Sequence, residues 1–121
     1  MLTKIAAVLQ FTLPGIPCIY YGDEIGMQGL FDPFCRGFYK WNEQDEDMLT
    51  FYSELAKLKN ESPALKMGDI SFDLSDEETL SFTRAYNSEK ITVMVSKKSV
   101  ISGRKLLELK TPYFNVAVIK G

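Results

Sequence analysis

The most constraining feature of this sequence is a short apolar run, residues 16–21 (IPCIYY), between Gly15 and Gly22. Such a run between glycines is typical of a strand buried on both faces, as the strands of a parallel sheet are. Pro17 is compatible with a strand at a position that needs no backbone donor. Because parallel strands need neighbours and the flanking segments are helical, the run predicts a lone strand from a larger sheet.

One helix is predicted on each side of this run. Apolar residues recur at helical spacing over residues 2–11, and Pro14 then ends the first helix. Residues 45–60 have an apolar face, acidic residues at the positive end and lysines near the negative end. We expect Ser62 and Pro63 to close this second helix.

After residue 63 the apolar residues alternate with a period of two, which indicates strands. Turn signals at Ser75-Asp76, Asn87-Ser88 and Ser102-Gly103 separate the runs at intervals typical of an antiparallel meander or sandwich. The sequence therefore predicts an α+β chain with two helices and a lone strand, followed by a small antiparallel β-sandwich. The domain boundary is predicted between residues 1–63 and residues 64–121.

Composition excludes several kinds of chemistry. The chain has no histidine, so it has no Ser-His or Cys-His nucleophile pair and no imidazole metal ligand. With 14 Lys and Arg against 16 Asp and Glu, the net charge of −2 argues against nucleic-acid and membrane partners. We expect no cofactor and no bound metal.

The two cysteines, Cys18 and Cys35, are too few for a disulfide framework. We expect two free thiols in a reducing, cytoplasmic compartment, with Cys18 buried in the strand. A disulfide between them is the alternative. The start of the chain lacks the pattern of a signal peptide, which also favours the cytoplasm.

Residues 15–27 read GIPCIYYGDEIGM, are preceded by LQFTLP, and are followed by DPFCR and by Trp41. These residues closely resemble the last strand and the following loop of the catalytic barrel in the α-amylase family of glycoside hydrolases. The neopullulanase and cyclomaltodextrinase branch is the most similar. The resemblance continues through LKNESPAL, which is similar to the last barrel helix, and into the C-terminal sandwich domain.

The resemblance implies that the chain is the end of a truncated (β/α)8 barrel plus that sandwich domain. A complete barrel needs about 250 residues. The catalytic carboxylates and substrate-binding histidines of the family follow earlier strands. The parent enzyme would therefore hydrolyse α-glucosidic bonds in cyclodextrins, pullulan or maltooligosaccharides, while we expect this chain alone to be inactive. A non-enzymatic carbohydrate-binding or structural β-sandwich module is the alternative.

Asp32 and Arg36 are the candidate substrate-binding residues. They match the first and fifth residues of the family pattern D-P-x-x-R-R, and Gly37 stands where the second Arg is usual. A carboxylate beside a guanidinium can accept and donate hydrogen bonds to neighbouring sugar hydroxyls. The resemblance implies a subsite on the non-reducing side of the cleaved bond, and an exposed loop salt bridge is the alternative.

No catalytic residue is predicted in this chain. Retaining glycoside hydrolysis needs two carboxyl groups about 5–5.5 Å apart on either side of the scissile bond. Asp23 and Glu24 are adjacent, and on an extended strand end they would point in opposite directions, so we expect them to fix a turn.

Two further expectations concern residues 1–42. The loop aromatics are expected to pack the loop onto its own helix, and stacking on sugar rings is the alternative. These aromatics are Phe31, Phe34, Phe38, Tyr39 and Trp41. Because an unpaired apolar strand invites pairing with another chain, we also expect self-association through residues 1–42.

Overall fold

The computed structural model describes residues 2–99 and 102–121. Its helices are α1 (Leu2–Thr12), α2 (Glu46–Glu61) and α3 (Pro63–Met67). Its strands are β1 (Asp69–Ser75), β2 (Thr79–Tyr86), β3 (Glu89–Ser96), β4 (Arg104–Lys110) and β5 (Asn115–Lys120). The predicted α+β class is confirmed.

Both predicted helices are present, and a third one follows them. Asp45 caps α2, since its Oδ1 accepts the Met48 N–H at 3.0 Å. Ser62 ends α2 but also begins α3, because its Oγ accepts the Leu65 N–H at 3.2 Å. Pro63 therefore stands at the first position of a helix, where a missing N–H costs nothing.

The strands form one antiparallel sheet in the order β1-β2-β3-β5-β4, so the described residues have a single sheet covered by helices and not the two packed sheets of the expected sandwich. Helices cover its core face, so the core lies between helices and sheet. The buried apolar side chains of this core come from all three helices and from four strands: Ile5, Ala7, Val8, Phe11, Phe51, Tyr52, Leu55, Ala64, Leu65, Phe82, Ile91, Val93, Leu107, Val116 and Val118.

Two buried cations join the C-terminal end of α1 to the rest of the fold. Arg84 of β2 is 1% exposed and donates from Nη1 to the Thr12 carbonyl at 2.6 Å and from Nη2 to the Gly68 carbonyl at 2.7 Å. Lys59 of α2 donates to the carbonyls of Gly15 at 3.1 Å and Leu65 at 2.7 Å. Burial lowers the pKa of both side chains. The carbonyls at helix C-termini lack intrahelical partners, so these cations satisfy groups that would otherwise be unpaired.

The predicted strand over residues 16–21 is wrong. After bends at residues 13–15, residues 16–20 run without bend, helix or strand pairing, and a turn follows at residues 21 and 22. Ile16 is 96% exposed and Cys18 is also exposed, so the expected burial of Cys18 is wrong too. Both cysteines are free thiols, as expected. The physical reason is that a strand needs a neighbour, and the described residues provide none beside this segment.

No helix among residues 2–99 and 102–121 is long and apolar enough to cross a membrane.

Candidate functional site

The candidate site lies in the long loop between α1 and α2, and a short turn fixes its base. Asp23–Ile25 form a 3-10 turn between Gly22 and Gly26, which have φ values of +93° and +74°. These left-handed conformations favour glycine. The Asp45 N–H donates to the Ile25 carbonyl at 3.1 Å, which joins the turn to the start of α2.

Glu24 holds this turn, as expected. Its Oε2 accepts the Gly22 N–H at 2.9 Å. Burial and the nearby carboxylate of Glu24 raise the pKa of Tyr39, which lies at the far end of the loop. Glu24 therefore holds the turn through Gly22 and lies close to the far end of the loop.

Asp23 has a different environment from Glu24. Its carboxylate accepts no hydrogen bond from the residues that the structure describes, so the expectation that this side chain fixes the turn is wrong. Partial burial, together with the neighbouring charge of Glu24, raises the pKa of Asp23. Burial and the charges of Asp23 and Glu24 also raise the pKa of Tyr52 in α2. The two carboxylates thus share one turn, and Glu24 already accepts the Gly22 N–H.

The two predicted binding residues, Asp32 and Arg36, meet at the tip of the loop. Arg36 Nε lies 2.7 Å from Asp32 Oδ1, and Arg36 Nη2 lies 3.1 Å from Asp32 Oδ2. Two turns bring them together, with bonds from the Phe34 N–H to Phe31 and from the Arg36 N–H to Pro33. The Asp32 and Arg36 side chains are 62% and 69% exposed, so a ligand can reach them.

The aromatic side chains of the loop do not pack onto α2, so that expectation is wrong. Phe31 packs edge-on against Phe34 with ring centroids 5.3 Å apart, and Tyr39 lies 4.6 Å from Trp41. All of the loop aromatics except Tyr39 are exposed. The reason is that the apolar face of α2 is already covered by α1 and the sheet.

Tyr20 and Tyr21, which lie in the segment predicted to be a strand, bind the backbone at the tip of the loop. The Tyr21 hydroxyl donates to the Gly37 carbonyl at 2.9 Å, and the Tyr20 hydroxyl donates to the Cys35 carbonyl at 3.4 Å. A tyrosine hydroxyl in a folded chain usually finds a partner, but its sequence position does not say which one. The two tyrosines therefore hold the backbone on both sides of Arg36.

Among the residues that the structure describes, no group of three or more His, Cys, Asp or Glu side chains could hold a metal ion.

Comparisons with known proteins by sequence and by structure agree with each other. Residues 1–60 match the family described as alpha amylase, catalytic domain. A cyclomaltodextrinase from Thermoanaerobacter pseudethanolicus (strain ATCC 33223 / 39E) is 39% identical over 98 residues, which are 79% of this chain and 17% of that protein. The intracellular maltogenic amylase of Bacillus subtilis (strain 168) is 36% identical over 104 residues, 82% of this chain and 18% of that protein.

Among solved structures, the maltogenic amylase from S. marinus superposes with a TM-score of 0.82 at 27% identity. The match covers 97% of this chain and 19% of that one. The chain thus spans less than a fifth of the length of these relatives.

Proposed function

Because this chain belongs to the α-amylase family of glycoside hydrolases, we propose that it is part of a protein that hydrolyses α-glucosidic bonds. Its proposed substrates are cyclodextrins, pullulan or maltooligosaccharides. The names of the relatives support this, since one is a cyclomaltodextrinase and another a maltogenic amylase. A cytoplasmic location is proposed for the same protein, supported by the intracellular relative and by the free thiols.

In this proposal residues 1–63 are the end of the catalytic barrel and residues 64–121 form a C-terminal β-domain. The extent of the family match supports the division, because it covers residues 1–60 and ends close to the end of α2. The sheet begins only afterwards, at Asp69.

The observation that carries the proposed role of the loop is the exposed Asp32–Arg36 pair. Two contacts join the guanidinium to both oxygens of the carboxylate, and both side chains are exposed, so further lone pairs and N–H groups are accessible to a ligand. Neighbouring hydroxyls of a glucose unit offer a matching donor and acceptor. An exposed ion pair contributes only about 0–1 kcal/mol to stability, so folding alone gives little reason for this geometry.

The reaction itself is assigned to carboxylates outside this chain. Cleavage with retention needs an acid and a nucleophile on opposite sides of the bond, about 5–5.5 Å apart. Asp23 and Glu24 share one turn, and Glu24 is held by the Gly22 N–H. Asp32 is held by Arg36. We therefore propose that the chain binds sugar and does not cleave it.

A titration of the isotope-labelled chain with maltoheptaose, followed by NMR, tests the role of the loop. We expect amide shifts concentrated in residues 29–41 and weak, millimolar binding, since a Kd of about 1 mM corresponds to only −4.1 kcal/mol. Arg36→Ala and Asp32→Ala are each expected to weaken binding about tenfold or more, because a hydrogen bond to a charged group contributes about 1.5–3 kcal/mol.

Lys40→Ala is the matched control. It breaks the ion pair between Lys40 Nζ and Glu43 Oε2, which is 3.1 Å long, exposed and in the same loop. Its binding should equal that of the unchanged chain. Shifts confined to the sheet, or binding that survives Arg36→Ala, would contradict the assignment.

The exposed aromatics favour one second candidate, an independent carbohydrate-binding module. Trp41 is the only tryptophan of the chain and is 74% exposed, so its fluorescence reports directly on this surface. An independent module would give a saturable change well below millimolar maltoheptaose. If the loop is instead part of a larger binding site, the fluorescence of Trp41 should not change below millimolar maltoheptaose.

A further inference from the structure

Each of the two buried cations joins the same two connections of the chain. The first connection is residues 12–15, between α1 and the loop, and the second is residues 65–68, which lead from α3 to β1. Each cation bonds one carbonyl of the first connection and one carbonyl of the second. These carbonyls are those of Thr12 and Gly68, bonded by Arg84, and those of Gly15 and Leu65, bonded by Lys59. The arrangement is called the double bridge here.

Residues 12–15 have few means of their own to keep a fixed conformation. Pro14 has no N–H, and Gly15 has a φ of +114° and no side chain. The Thr12 hydroxyl donates back to the Val8 carbonyl at 2.7 Å, within α1, so it does not hold the residues that follow. The position of this connection therefore depends largely on the double bridge.

The double bridge brings two positive charges close together in the interior. Burial and the nearby charge of Arg84 lower the pKa of Lys59, and burial lowers the pKa of Arg84 more than the charge of Asp69 raises it. Within the described part of the chain, both side chains donate only to backbone carbonyls. Burying charges in this way is costly, and apolar residues of similar size often stabilise a core as well or better. The fixed direction of the hydrogen bonds is what apolar residues could not supply.

The first connection leads within a few residues to the backbone around Arg36. Tyr20 and Tyr21 lie five and six residues after Gly15. Their hydroxyls donate to the carbonyls on either side of Arg36, at 3.4 and 2.9 Å. A shift of the connection is thus transmitted to the tip of the loop through a short segment and two hydrogen bonds.

We propose that Arg84 and Lys59 are positioning residues for the candidate sugar-binding loop. They fix residues 12–15 to residues 65–68, so that the start of the β-domain determines where the loop begins. This role rests on the proposed function only in what the loop binds, because the double bridge itself involves no sugar.

NMR of the isotope-labelled chain without sugar tests the positioning directly. Lys59→Met removes both hydrogen bonds of Lys59 but keeps a long apolar side chain, so we expect the chain to fold, which circular dichroism checks. Its amide resonances are expected to shift in residues 13–22 and in residues 35–37, at the tip of the loop. Lys57→Met is the matched control, because Lys57 is an exposed lysine of the same helix. It should shift neither region.

Two further sets of variants test the route and protect the result. In a chain with Tyr20→Phe and Tyr21→Phe, Lys59→Met should still shift the connection but no longer the tip of the loop. Arg84→Lys keeps the charge but loses the fork of the guanidinium, so it should shift the same two regions as Lys59→Met. It decides the outcome if Lys59→Met does not fold.

A titration with maltoheptaose separates this role from the proposed function. Lys59→Met is expected to raise the Kd about 2- to 30-fold, as coupling through a chain of contacts does, and Lys57→Met should leave it unchanged. If the unchanged chain binds no maltoheptaose, the proposed function fails, and the shifts without sugar still decide the positioning. Tip resonances that stay in place in both Lys59→Met and Arg84→Lys would overturn the positioning role. Tip shifts that also occur in Lys57→Met or persist without the tyrosine hydroxyls, or a Kd unchanged in both positioning variants, would overturn it as well.

Discussion

Arg84→Ala is expected to lower the free energy of unfolding by about 3–5 kcal/mol, which is a large part of the 5–15 kcal/mol typical of a small protein. Arg84 is 1% exposed, and its Nε and Nη2 both donate to the Gly68 carbonyl while Nη1 donates to the Thr12 carbonyl. Alanine leaves these two carbonyls unpaired, at about 1–3 kcal/mol each, and opens a cavity beside the core.

Urea unfolding followed by circular dichroism measures this effect. Arg84→Lys keeps the charge but replaces the fork by a single ammonium, so we expect an intermediate loss. Arg104→Ala is the matched control, because Arg104 is an exposed arginine of the same sheet, and its loss should change stability by less than about 0.5 kcal/mol. An Arg84→Ala chain within 1 kcal/mol of the unchanged one would contradict the role assigned to Arg84.

Gly68→Ala is expected to lower the free energy of unfolding by about 3 kcal/mol. A Cβ at this position would overlap the Ala64 carbonyl oxygen and lie 2.8 Å from the Ala85 carbonyl oxygen, and neither backbone group can move freely. The Gly68 N–H also caps α3 by donating to Ala64 at 2.9 Å, and its carbonyl is the main acceptor of Arg84. Displacing Gly68 therefore weakens both contacts.

The same substitution at Gly37 is the control. A Cβ at Gly37 has no atom within 4 Å, and its φ is not in the left-handed region. Gly37→Ala should leave thermal stability unchanged or raise it slightly, because alanine has less freedom in the unfolded chain. Equal melting temperatures for the two variants would show that the close packing at Gly68 does not matter.

The elements with local signals could be predicted from the sequence. Helices α1 and α2 and the five strands follow from periodicity, and the turns between them follow from Asn, Asp, Gly and Ser residues. The strand predicted over residues 16–21 is absent because strand formation depends on a neighbour that their own sequence does not reveal. Ser62 and Pro63 predict the end of a helix but also begin α3, since proline is compatible with both a helix end and a first helical position.

The two buried cations, Arg84 and Lys59, are a second feature of the fold that the sequence does not predict. Arg84 stands in the alternating series with Leu80 and Phe82, and Lys59 falls four residues after Leu55 on the apolar face of α2. Neither side chain is predicted in the core, because a charged group is normally found outside. Only the three-dimensional position of the helix C-termini explains why two cations are stable there.

In the candidate site, the pairing of Asp32 with Arg36 could be expected from their spacing and from the family pattern. The exposure of the aromatic side chains around them could not be expected, because it depends on α1 and the sheet already covering the apolar face of α2. Their use in sugar binding remains a proposal, which the titration above addresses.

The most direct test of the central claim is a hydrolysis assay of the purified chain. Maltoheptaose, β-cyclodextrin and pullulan are incubated with it, and the release of reducing ends is measured against a buffer blank. The account predicts no turnover, because Asp23, Glu24 and Asp32 are not arranged around a bond and the reacting carboxylates are assigned elsewhere. Release of reducing ends that co-purifies with the chain and disappears in Asp23→Asn would contradict it.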